Sequence, residues 1–83
     1  MTSQSCCDNS AWSPERDLGH ADTMEFVLGK CFHCGATLIN VFSVATGISG
    51  YEPVTPTDAQ QMSTISAGPE LKRFMRSWSR THI

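Results

Sequence analysis

TMEFVLGKCFHCGATLINVFSV, residues 23–44, is the stretch on which the reading of this chain turns. Two β-like runs flank a pair of cysteines. In the first run, Met24, Phe26 and Leu28 recur at every second position, the period of a strand that turns one face to a core. The second run, Thr37–Val44, is rich in β-branched and aromatic residues. Leu38, Phe42 and Val44 fall on one side of it and Ile39 and Val41 on the other, so both sides are expected to be covered. C-terminal helices would supply one cover, and the N-terminal segment or a second subunit the other. The two runs are therefore expected to form a β-hairpin with Cys31-Phe32-His33-Cys34-Gly35 at its tip.

Cysteines spaced C-x2-C supply half of a tetrahedral thiolate site for zinc, in which Zn–S is about 2.3 Å. The two intervening residues let the backbone wrap an ion and aim amides at the sulfurs. Gly35 suits the exit, where a Cβ would obstruct the turn. Cys31, Cys34 and Gly35 resemble the rubredoxin-type knuckle of zinc ribbons. The resemblance covers the knuckle and the strands beside it, and implies one structural Zn2+. A zinc ribbon carries a second C-x-x-C, and this chain has none.

The remaining thiols are the adjacent pair Cys6-Cys7, which become the expected partners of Cys31 and Cys34. Two neighbouring cysteines reach one ion only with a strained backbone, so one ligand from that pair is an open alternative, with His20 in place of the other. His20 ranks below both. A strand over Thr23–Lys30 spans about 25 Å, which sets His20 at the end away from the knuckle unless the chain folds back. His33, inside the knuckle, is expected to face solvent.

An 83-residue chain predicts one domain, near the size at which a metal or disulfides help a small core. Hydrophobic residues make up 40%, too many for a wholly disordered chain. No basic and apolar leader opens the sequence and no run would span a bilayer, which predicts a reducing, cytoplasmic setting where cysteines favour metal over disulfides. A net charge of −2 gives no global attraction to nucleic acid or an anionic membrane. The charge is uneven, however. Asp8, Glu15, Asp17, Asp22 and Glu25 dominate the first thirty residues, and Lys72, Arg73, Arg76 and Arg80 the last fifteen.

Met1–Ser5 is expected to fray, residues 6–54 to form the knuckle and β part, and residues 55–81 the helical part. Asp8–Gly19 reads as a loop, with a turn at Ser13-Pro14-Glu15-Arg16 and with Trp12 covering one side of the core. Thr46–Gly50 is a glycine-bearing turn. Tyr51–Val54 is a candidate third strand. Thr55 is a candidate N-cap, with Pro56 at the first helical position and Asp58 near the exposed amides. That helix should run to about Ile65 with Ala59, Met62 and Ile65 inward. Pro69 opens a second helix to about Arg80, on which Leu71, Phe74, Met75 and Trp78 form an i, i+3, i+4, i+7 stripe.

The expected fold is thus a single α+β domain, a ribbon-like hairpin or small sheet with two C-terminal helices. A thioredoxin-like redox role fits poorly, because there the first cysteine opens a helix, and here a β-rich run follows. No H-x-E partner for a deaminase, phosphate loop or Ser/His/Asp pattern is visible. The expectation is a non-enzymatic module meeting another protein, or itself, through the hairpin face. Arg73, Arg76 and Arg80 form a weaker candidate surface. Nucleic-acid binding is the alternative and thiol redox chemistry the third reading.

Overall fold

The computed structural model describes residues 11–83. Four antiparallel strands form one sheet in the order β1-β2-β3-β4, and two helices follow. The strands are β1 (Trp12–Ala21), β2 (Met24–Cys31), β3 (Thr37–Ser43) and β4 (Ser49–Pro53), and the helices are α1 (Pro56–Thr64) and α2 (Pro69–His82). Strands consecutive in the chain are neighbours in the sheet, which only tight connections allow. Between β1 and β2 the turn is Asp22-Thr23, with Asp22 at φ 58°, a left-handed conformation that aspartate tolerates.

The α+β architecture is as expected, with one correction. The stretch read as a loop up to Gly19 is mostly strand: β1 starts at Trp12 and pairs with all of β2. Two register shifts, between Pro14 and Arg16 and between Asp17 and Gly19, disturb its alternation. Bulges and an early proline are tolerated here because β1 is an edge strand. The knuckle hairpin, β2 with β3, is therefore the middle of a four-stranded sheet.

One face of the sheet carries the main core. Leu18, Ala21, Phe26, Leu28 and Ile39 point up from the strands, and Met62, Leu71, Met75 and Trp78 come down from the helices. Phe26 and Trp78 meet edge to face, their ring centroids 6.5 Å apart. Every buried member of the α2 stripe lies here, with Phe74 half-buried at its margin. Among the described residues, no helix is long and apolar enough to cross a membrane.

The two helices are held differently. α2 is strongly amphipathic and lies along β1. α1 buries only Met62, so packing alone holds it weakly. Its start is as expected: the Thr55 hydroxyl accepts from the Asp58 amide at 3.2 Å. Its end is fixed by Arg16, whose Nη1 donates to the Met62 carbonyl at 2.6 Å and Nη2 to the Ile65 carbonyl at 2.8 Å. A guanidinium there satisfies carbonyls that a helix C-terminus leaves open, and its charge suits the negative end of the dipole.

The opposite face is covered by a side chain instead of a helix. Ala11, Cys31 and Leu38 form a second, small buried cluster, with Trp12 and Ala36 packed on it. Trp12 lies across the sheet. Its Nε1 donates to the Leu38 carbonyl on β3 at 3.0 Å, and its ring meets Tyr51 of β4 at 5.4 Å. Gly29 makes this possible. A Cβ there would stand 2.4 Å from the Ser13 carbonyl oxygen and 2.5 Å from the indole.

Candidate metal centre

The knuckle closes where β2 ends. Cys31 pairs with Trp12 as the last position of the β1–β2 ladder, and beyond it the chain folds back on itself. The Gly35 amide donates to the Cys31 carbonyl at 2.7 Å, and the Cys31 amide to the Ala36 carbonyl at 2.9 Å. Gly35 sits at φ 78°, the left-handed region a Cβ disfavours, which is the role its position in the motif suggested. Together these bonds bend residues 31–36 into one tight loop that carries both cysteines.

The two cysteines differ in exposure. Cys31 is fully buried under Trp12, and Cys34 is exposed on the loop. His33 faces solvent as expected, its ring tilted against Phe32 with centroids 5.1 Å apart. Phe32 is 67% exposed at the tip. The chain leaving Cys34 enters β3 at Thr37, so no helix begins behind the second cysteine.

Sequence reasoning missed where the N-terminal chain arrives. The Phe32 amide donates to the Ala11 carbonyl at 3.0 Å, so β1 begins beside the knuckle. Cys6 and Cys7 lie outside the described residues. Cys7 is four positions before Ala11 in the sequence, and four fully extended residues span at most roughly 14 Å. Had β1 been recognised as a strand, antiparallel pairing from the Asp22-Thr23 turn would have placed its start here.

His20 is not brought to the knuckle. It pairs with Glu25 near the other end of β1, eight residues from Trp12 along the strand, or about 26 Å. Among the described residues, no group of three or more His, Cys, Asp or Glu side chains is placed to hold a metal. Residues 11–83 bring two thiols, Cys31 and Cys34, to the knuckle loop.

The candidate basic residues occupy the outer side of α2. Arg76 and Arg80 flank Asp22, with Nε 3.7 Å from Oδ1 and from Oδ2 respectively. Arg73, one turn earlier, is exposed. No protein-family profile, curated protein or solved structure matches this chain.

Proposed function

We propose that the chain is a small structural-zinc module without catalytic activity that serves as a platform for another protein or a second copy of itself. Cys31 and Cys34 would hold one Zn2+ together with Cys6 and Cys7, or with one of them. The donor set fits this metal: thiolates are its preferred protein ligands, and the bonded loop over residues 31–36 keeps both thiols on one short turn. What supports the reading most is the Phe32–Ala11 hydrogen bond, because it sets Ala11, four positions after Cys7 in the sequence, beside the knuckle rather than at the far end of the sheet. The bound ion would neutralise the thiolates and tie the start of the chain to the hairpin tip. A site filled by protein ligands supplies no open position for substrate.

The partner would meet the face of the β2–β3 hairpin turned away from the helices. Trp12 covers the knuckle end of that face, and Val27, Asn40 and Phe42 remain half-exposed along the rest.

Native mass spectrometry of protein purified without oxidant tests the metal. One zinc per chain is expected, lost in Cys31→Ser and Cys34→Ser and in at least one of Cys6→Ser and Cys7→Ser, and retained in His20→Ala. A chelator, or Cys34→Ser, should lower the melting temperature and broaden the amide signals of residues 31–36. Stoichiometric absence of metal, or an unchanged melting curve and spectrum after chelation, would overturn the proposal.

A further inference from the structure

Arg73, Arg76 and Arg80 line one stripe of α2, opposite the side that Leu71, Met75 and Trp78 bury. At 100° per residue the three lie within about 60° of one another. From Arg73 to Arg80 the stripe is about 10.5 Å long. Lys72 flanks it and is exposed.

Asp22 shows how the stripe receives an anion. One carboxylate sits between two guanidiniums a helical turn apart, with an Nε of each 3.7 Å from it. At 3.7 Å these are ion pairs without hydrogen bonds, so the Nη groups of Arg76 and Arg80 keep their donors. Neither Lys72 nor Arg73 has an ion pair or side-chain hydrogen bond among the described residues. The fold gives these two cations no task. They lie before the last turn, where the helix dipole would favour them. Asp17, which lines a cleft with Lys72, together with Asp22 and Glu70, opposes four positive charges here, so the surface keeps a small positive excess on a chain whose net charge is −2.

We propose that this face of α2 is a docking site for an acidic segment of a partner protein, a second contact surface on the opposite side of the sheet from the hairpin face argued above. Carboxylates three and four positions apart on a peptide helix stand about 5–6 Å apart, which matches the arginine spacing. A nucleic acid fits less well. The stripe would reach only two or three phosphates, and the acids beside it would repel the rest of the strand.

The test is fluorescence anisotropy on the protein as purified without oxidant, with two labelled probes of equal charge, a glutamate-rich peptide and a single-stranded oligonucleotide. The Arg73→Gln/Arg80→Gln variant should weaken peptide binding at least tenfold. Gln60→Glu/Gln61→Glu, an equal charge change on the exposed side of α1, should weaken it less than twofold. Asp22→Asn, which removes the internal competitor, should tighten it two- to threefold. Equal losses in the two double variants, tighter binding of the oligonucleotide, or no peptide binding would overturn the proposal. Metal content, read by native mass spectrometry on the same samples, separates the two readings. Peptide binding by metal-free protein would sink the zinc centre alone, and a zinc-loaded chain indifferent to the peptide would sink this surface alone.

Discussion

Trp12 and Trp78 hold opposite faces of the sheet by different means. Trp78 is one apolar surface among many: it meets Phe26 edge-on, stacks on His82 at 4.7 Å, and its Nε1 has no hydrogen-bond partner among the described residues. Trp12 serves a cluster with three buried members among the described residues, and its Nε1 reaches across the sheet to the Leu38 carbonyl. A large core withstands an unpaired N–H, which costs about 1–3 kcal/mol, because burial outweighs it. A small cluster has no such reserve, so it depends on a directed bond, a glycine that admits the indole and, on the proposal above, a metal. One face of this protein is held by area and the other by specific contacts.

The largest expected effect tests whether the first face carries the fold. Phe26→Ala should cost about 3–5 kcal/mol in urea unfolding, with both tryptophan signals lost in one transition. A Trp12 signal that stayed native after Trp78 was lost would show the small cluster standing alone.

Arg16→Gln should come next. Two charge-assisted bonds to the end of α1 would go, for about 2–3 kcal/mol. Amide exchange should rise at residues 59–65 and stay unchanged at the knuckle. Faster exchange at residues 31–36 as well would break the separation of the two faces.

Gly29→Ala should cost a similar amount, about 2–3 kcal/mol, because the Ser13 backbone carbonyl and the Trp12 ring would both have to shift. Its local signature should be sharp. The Trp12 indole proton should shift in the NMR spectrum while that of Trp78 stays in place. A shift of both would mean that the two clusters respond as one.

The same contrast explains what the sequence disclosed. Contacts made by area leave a period. The Leu71, Phe74, Met75, Trp78 stripe, the alternation of Met24, Phe26 and Leu28, and the Thr55-Pro56 helix start were all legible, and each lies where expected. Contacts made by single atoms leave none. Arg16 was one charge in a polar stretch, and nothing in its neighbourhood pointed to the carbonyls of α1. β1 was hidden because two bulges break the period of an edge strand whose outer side is polar. Gly29 did carry a signal, since a glycine inside a strand marks a close approach by another group. At the knuckle, the Cys31–Gly35 turn was legible from spacing. The arrival of the N-terminal chain was not, because it depended on the unrecognised strand.

The contact between Trp12 and Tyr51 has a mechanical consequence. β1 and β4 are the two outer strands, three spacings or about 14 Å apart, and they share no ladder. Two rings bridge that width at one end of the sheet only. That end is clasped like the neck of a drawstring bag, and the other, at the Asp22 turn, has no ring contact across it among the described residues. A pull on the residues just before Trp12 would therefore reach β4 through two aromatic rings as well as through the strands between.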